Sequence, residues 1–250
     1  MRYLLRRNKM KKLIMSVAAA LVLGGAYAQQ QTPMEPARHR ITPLCVSLAS
    51  PLQLPPSSWA VYGIRLNFLY GDSYAINGID LGLVGRTRTD LNGIAAGLFN
   101  WVDGDMSGVQ LGALANVGHA NTYGLQLGGV VNYAYSDFGG AQAAFVNLDG
   151  SFYGLQLGGV NWDKGISYGL QLGAVNADLN EFSGGSVGVV NWAVRYSGAQ
   201  LGFVNICTTG EGCQIGVFNA AETYEGIQIG LLNIIQKGAM PIMCVMNANF

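Results

Sequence analysis

A short tandem repeat dominates this sequence and limits what the chain can fold into. Between Gly93 and Asn233 the pattern Gly-x-Gln-x-Gly-x-x-Asn occurs ten times, with occasional substitutions, at intervals of 14 to 16 residues. Clear copies begin at Gly154, Gly169 and Gly226. A period this short accommodates one strand and one turn per repeat. The sequence therefore predicts an all-β fold built as an array of strands.

Within each repeat the residues alternate in character, as they do along a strand with two unlike faces. Leu155 and Leu157, for example, flank Gln156. Side chains two residues apart lie on the same face of a strand, so this pattern predicts one apolar face and one small, polar face.

Two architectures fit such a repeat: a β-solenoid with one coil per repeat, and an up-and-down antiparallel β-barrel with one strand per repeat. The strand part of a repeat is about 10 residues, or ~33 Å, and the remaining ~5 residues span at most ~18 Å. If the strand is straight, the remainder is too short to return the chain to the start of a parallel coil. This comparison favours the barrel, whereas a strand broken at the second glycine would restore the solenoid.

Aromatic residues and the strand count also favour the barrel. The residue after the repeat asparagine is aromatic in alternate repeats, at Trp101, Tyr133, Trp162 and Trp192. Alternate strand ends of a barrel meet the same membrane surface, where aromatic residues concentrate. We therefore expect these four at the membrane interface. Counting the segments that flank the repeats gives about 14 strands, an even number as bacterial barrels have.

The repeat glutamines are candidates for lining a hydrated lumen, and hydrogen bonding between neighbouring strands is the alternative interpretation. The eight are Gln110, Gln126, Gln142, Gln156, Gln171, Gln200, Gln214 and Gln228.

The ends of the chain indicate export. Residues 1–28 resemble a signal peptide, with a basic stretch, an apolar core and a small-x-small site at Ala26-Tyr27-Ala28, although Met10 is an alternative start. Residues 29–42 are polar and predict a flexible lead-in, and residues 43–250 form the repeat domain. Along the last predicted strand, apolar residues occupy alternate positions up to the final Phe250. This ending resembles the C-terminal signal read by the outer-membrane assembly machinery.

Charge and cysteine content refine this interpretation. After residue 40 the chain has 13 acids and six bases, so nucleic-acid binding is disfavoured. Disulfides persist in exported proteins, and Cys207 and Cys213 flank a predicted turn, so they are candidates for a disulfide. Cys45 and Cys244 lie on the first and last strands, which would be neighbours at the closing seam of a barrel.

Catalytic and metal motifs are weak. Gly184-Gly185-Ser186-Val187-Gly188 fits a nucleophile elbow but occupies the repeat register, and neither His39 nor His119 has an evident acid partner. Asp103 and Asp105 lie in a turn without the further oxygen ligands that Ca²⁺ requires. We therefore predict no catalytic site, no metal and no cofactor.

The repeat array, the opening from Tyr62 to Gly71 and the Asn-x-Phe ending resemble a family of bacterial surface-repeat proteins, over residues 45 to 250. Ser186, where glutamine is expected, departs from the motif. The resemblance implies a cell-envelope location and no activity.

These features together predict a non-enzymatic bacterial outer-membrane β-barrel exposed at the cell surface, which contacts the lipid bilayer and acts as a passive pore for small polar solutes or cations. The alternative is a structural or adhesive cell-surface β-solenoid without transport activity.

Overall fold

In the computed structural model, which describes residues 40–250, the chain winds into a β-solenoid. The signal-peptide prediction and most of the predicted lead-in lie outside the described residues. Structure begins slightly earlier than predicted, because the first strand starts at Ile41. The strands are β1 (Ile41–Ala49), β2 (Leu52–Leu54), β3 (Ala60–Ser73), β4 (Ile76–Thr87), β5 (Leu91–Val102), β6 (Met106–Gly118), β7 (Thr122–Gly128), β8 (Val131–Asp163), β9 (Ile166–Ile215), β10 (Phe218–Ile235) and β11 (Ile242–Asn249). Within this range no helix is long and apolar enough to cross a bilayer.

Consecutive coils pair in parallel and in register, so that equivalent repeat residues lie side by side. Gly78 pairs with Gly93 between β4 and β5, and Gln156 pairs with Gln171 between β8 and β9. β8 and β9, with 33 and 50 residues, each contain more than one coil. The prediction of about 14 antiparallel barrel strands is therefore wrong, and the solenoid alternative is correct.

The barrel prediction failed because the repeat is not a straight strand. Gln156 and Asn161 are both buried although they are five residues apart, so the strict alternation of a strand is broken between them. The backbone also leaves regular strand geometry at the first glycine of each repeat; Gly154, for example, has a φ of 137°. The bent chain closes one coil within 14 to 16 residues and does not have to turn back on itself.

The first glycines form a column along the solenoid that side chains cannot enter. A Cβ atom on Gly154 would lie 2.0 Å from the carbonyl oxygen of Gly140, one coil earlier. Twelve glycines of this column, from Gly63 to Gly226, have φ between 111° and 152°, a region that L side chains rarely adopt. Both constraints explain why this position of the repeat is glycine throughout.

The interior contains polar ladders flanked by three small hydrophobic clusters. One lies near the N-terminal end and includes Ile76, Leu91 and Met106. A second, in the middle, consists of Ala134, Phe138 and Phe152, and a third, towards the C-terminal end, includes Phe182, Tyr196 and Tyr224.

The two ends of the solenoid finish differently. At the N-terminal end, β1 lies parallel to β3 and pairs on its other side with the short antiparallel strand β2. At the C-terminal end, β11 runs antiparallel to β10, with Gly226 opposite Asn249. Because β1 and β11 lie at opposite ends of the sheet order, no seam joins them.

Candidate functional site

A ladder of buried asparagines runs through the coils. Nδ2 of each asparagine donates to Oδ1 of the next one, at 2.7 to 3.1 Å from Asn116 to Asn233. The same Nδ2 of Asn161 also donates to the Leu172 carbonyl, at 3.2 Å. Each internal asparagine thus joins two neighbouring coils through its side chain.

The repeat glutamines form a second ladder, which replaces the predicted lumen lining. All eight are at most 1% exposed. Nε2 of Gln126 donates to Oε1 of Gln110 at 2.6 Å, and Nε2 of Gln228 donates to Oε1 of Gln214 at 2.7 Å. These side chains fill the interior and bond to one another, so the lumen-lining assignment and the pore prediction built on it are wrong. The alternative interpretation, hydrogen bonding between neighbouring strands, is what the structure contains.

Three buried carboxyl groups lie beside the glutamine ladder in the middle of the solenoid, where the bond from Gln171 Nε2 to Gln156 Oε1 persists at 3.0 Å. Nε2 of Gln156 donates to Asp149 Oδ2 at 2.5 Å and to Asp163 Oδ1 at 2.9 Å. Nε2 of Gln171 donates to Asp163 Oδ2 at 2.5 Å and to Asp178 Oδ1 at 3.1 Å. We call Asp149, Asp163 and Asp178 the carboxyl row. None of these three residues was singled out in the sequence analysis.

Burial strongly favours the protonated form of the carboxyl row. It raises the pKa of Asp149 and that of Asp178 well above the usual range, and the charge of Asp163 raises both pKa values further. Burial also raises the pKa of Asp163 to about 6, against the opposing effect of hydrogen bonds from Gln156, Asp178 and Gln171. The row therefore holds protons at pH values where exposed carboxyl groups are ionised.

A buried ion pair replaces the glutamine ladder in the first coils. Arg65 and Asp80 occupy the ladder position, with Arg65 Nε 2.8 Å from Asp80 Oδ1 and Nη2 2.5 Å from Oδ2. Arg65 Nη1 donates to the Arg86 carbonyl at 2.7 Å, and Asn67 Nδ2 donates to Asp80 Oδ1 at 2.6 Å. Every charged atom of the pair has a partner inside the coils, as a buried pair requires.

The four cysteines are free. Cys207 is buried in the C-terminal cluster, where Gln214 Nε2 lies 3.5 Å from its Sγ, whereas Cys213 is partly exposed. The predicted Cys207–Cys213 disulfide is therefore not formed in this structure. Cys45 and Cys244 lie on β1 and β11, towards opposite ends of the solenoid, so the barrel seam that would have made them neighbours is absent.

The aromatic candidates lie in one column of the solenoid. Trp101 pairs with Val117, and Val117 pairs with Tyr133. Trp162 and Trp192 follow Asn161 and Asn191, which the asparagine ladder holds in register. The expectation of a membrane interface depended on the barrel and falls with it, and nothing in the structure explains why aromatics alternate.

Phe250 follows β11 and is 94% exposed. Its assignment as an assembly signal assumed that the last strand closes a barrel against the first strand. The structure does not support this assumption, because β11 pairs with β10 and ends the solenoid.

The weak catalytic motifs do not assemble into a site. Ser186 is buried, and its Oγ donates to Asn191 Oδ1 at 2.8 Å, so it serves the asparagine ladder. His119 does have an acid neighbour, contrary to expectation: its Nδ1 lies 3.5 Å from Asp103 Oδ1, and its ring packs on Trp101 at 4.9 Å. Asp103 also pairs with Arg86, at 2.7 Å. Across the described coils, no three His, Cys, Asp or Glu side chains are grouped so that they could hold a metal ion.

An open groove of about 310 Å³ lies on the surface of β9 and β10, near the C-terminal end. Its walls include Glu181, Glu211 and Glu225, with Arg195 as the basic member. Arg195 pairs with Glu181 at 3.3 Å, so this groove contains a surface ion pair rather than a constellation of catalytic groups.

Comparisons with known proteins add no identification. No family model matches the chain, and neither the curated proteins nor the solved structures give a significant match. The resemblance to bacterial surface-repeat proteins therefore has no independent support from a family match. The structure does show a tandem-repeat β-solenoid with buried asparagine and glutamine stacks.

Proposed function

We propose that this protein is a structural or adhesive β-solenoid, exported to the cell surface, that neither transports solutes nor catalyses a reaction. The observation that carries the proposal is the filled interior. Asn161, Asn176 and Asn191 are fully buried in the asparagine ladder, and Gln156 and Gln171 are fully buried beside them. A coil whose centre is occupied by bonded side chains offers no path for a solute but makes a stiff rod.

The rod dimensions suit a spacer or an adhesive surface. Twelve stacked glycines define eleven coil-to-coil steps, and at about 4.8 Å per step the regular part is roughly 53 Å long. Each coil contacts only its neighbours, so such arrays present long regular faces. The export signal predicted for residues 1–28 supports a location outside the cytoplasm.

Two experiments test this proposal. Intact cells of the source bacterium are treated with protease, and the protein is followed with an antibody; we expect cleavage without lysis. Liposomes carrying the purified protein and a trapped dye should retain the dye at the rate of empty liposomes. Protection of the protein in intact cells would overturn the surface location, and dye release would overturn the absence of transport.

A further inference from the structure

A continuous uncharged face flanks the glutamine ladder on the outside of the solenoid. It consists of the residue before and the residue after each ladder position, and we call it the ladder face. None of these residues, from Ile64 and Leu66 to Ile227 and Ile229, is charged. Leucine and isoleucine recur in the second column and remain about 40% exposed, as at Leu81, Leu111, Leu127, Leu157, Leu201 and Ile229.

The size of the ladder face matches what one protein contributes to a stable interface. Its length follows from the eleven coil steps, roughly 53 Å, and its two columns with their side chains are roughly 15 Å wide. The product, about 800 Å², equals the usual contribution of each partner to a specific interface. Apolar patches larger than a few hundred Å² are rare on monomeric soluble proteins and mark interaction sites.

The shape of the ladder face points to a second copy of the chain as the occupant. Its ridges repeat at the spacing of the coils, because equivalent residues such as Leu157 and Leu172 are paired in register. A second ladder face has the same period, so its side chains can interdigitate along the whole length, as in packed sheets about 10 Å apart. A fluid lipid surface offers no such period.

The distribution of charge is compatible with this pairing. Charged residues such as Lys164, Arg195 and Glu222 lie outside the ladder face. Arg195 pairs there with Glu181, and Glu222 pairs with Lys237. Two ladder faces can therefore meet without burying a charge. A two-fold axis would bring the same patch of both copies together, which is the commonest symmetry of homodimers.

We propose that two copies of this protein associate face to face through their ladder faces. The inference adds a partner to the proposed structural role, but it is tested on purified protein. Its outcome therefore does not depend on cellular location or on the absence of transport.

The test is sedimentation velocity of the purified protein over a dilution series. We expect the unmodified protein to sediment as a dimer at micromolar concentration. The double variant L127E/L157E places charges in the middle of the ladder face and should raise the dissociation constant by about a hundredfold or more, since like charges across an interface cost several kcal/mol. The matched control is Ile166→Glu, which changes a 38% exposed residue at the start of β9, outside the ladder face, and should leave the dimer intact.

Far-UV circular dichroism checks that the variants fold, and L127Q/L157Q, which adds no charge, replaces the glutamate variant if that one does not. A monomeric unmodified protein, or equal dissociation by Ile166→Glu, would overturn the proposal. A monomer that floats with phosphatidylcholine vesicles and loses flotation in L127E/L157E would assign the ladder face to lipid instead.

Discussion

Asn161 and Asn176 are joined side chain to side chain across adjacent coils: Nδ2 of Asn161 lies 2.7 Å from Oδ1 of Asn176. Asn161 also accepts from Asn147 Nδ2 at 2.8 Å and donates to the Leu172 carbonyl at 3.2 Å. One side chain therefore satisfies groups in both neighbouring coils. This arrangement explains why asparagine, with one donor group and one acceptor on a short side chain, closes the repeat motif.

Asn161→Ala should destabilise the solenoid strongly. The substitution leaves Asn147 Nδ2, Asn176 Oδ1 and the Leu172 carbonyl each short of a hydrogen bond in a buried environment. An unsatisfied buried group costs about 1 to 3 kcal/mol, so we expect a loss of about 3 kcal/mol or more in the free energy of unfolding. Urea unfolding followed by circular dichroism measures it. Asn92→Ala, at an exposed position, is the control and should change stability by less than about 0.5 kcal/mol; equal losses in both variants would contradict the role of the ladder.

The sequence was sufficient to predict an all-β repeat fold but not the path of the chain. The motif contained the decisive signal: Gln156 and Asn161 are both polar yet have opposite parity, and so do their counterparts in most repeats. On a straight strand one of them would face the apolar side. A bend between them places both inside, and the glycines between them permit it. A straight strand of about 10 residues leaves too little chain in each repeat to close a coil, and this assumption is what favoured the barrel.

The buried ionisable groups were harder to predict. Asp149, Asp163 and Asp178 lie two residues after the repeat asparagine, at a position that is Ala134 or Cys207 in other coils, so the sequence pattern does not mark it as an interior polar position. Their burial becomes visible only when the coil geometry shows that this position faces inward. Arg65 and Asp80 could be aligned with the glutamine column, but the bidentate contact between them depends on the parallel register of β3 and β4.

The Arg65–Asp80 pair should behave as a unit. Arg65→Leu leaves Asp80 buried without its countercharge, and breaking a buried pair in this way costs about 3 to 5 kcal/mol. Replacing both residues by leucine removes the stranded charge and should cost clearly less than the single substitution. Thermal or urea unfolding of the two variants provides the comparison. A double variant as unstable as Arg65→Leu would show that the pair's partners, not its charges, determine the loss.

Two adjacent glycines offer a test of the glycine column. Gly184 has a φ of 144°, and a Cβ atom there would lie 2.0 Å from the Gly169 carbonyl oxygen. Gly185 has no such φ, and its Cβ atom would meet only a terminal methyl group of Leu170, at 2.9 Å.

Gly184→Ala should therefore lower the free energy of unfolding by several kcal/mol or prevent folding, because both backbone strain and a backbone clash oppose it. Gly185→Ala should be tolerated, since Ala141 and Ala199 occupy the equivalent position in other coils. Soluble yield and unfolding midpoint distinguish the two variants, and equal behaviour would contradict the steric explanation.

The carboxyl row should make the solenoid more stable in acid than at neutral pH. Burial raises the pKa values of Asp149 and Asp178 well above the ordinary range of an aspartate, and it raises the pKa of Asp163 to about 6. For a carboxyl group whose pKa is higher in the folded state, the contribution is fully present below the unfolded pKa. It is then lost as pH rises through the folded pKa. Stability should therefore fall from about pH 4 to pH 8, by up to about 1.4 kcal/mol per pH unit for each group that resists ionisation.

Asp178→Asn isolates this effect, because an asparagine mimics the protonated carboxyl group. Its Nδ2 can donate to Asp163 as protonated Asp178 does, while its Oδ1 can still accept from Gln171, 3.1 Å away in the native structure. We expect the variant to equal the native protein at pH 4 and to exceed it by about 1 kcal/mol or more at pH 8, since the ionisation cost at this residue is removed. Urea unfolding at pH 4, 6 and 8 measures the difference. The control is Asp137→Asn, at a partly exposed position of β8, which should not reproduce the gain at pH 8. A variant less stable than the native protein at pH 8 would mean that Asp178 is ionised in the folded state and held by its hydrogen bonds.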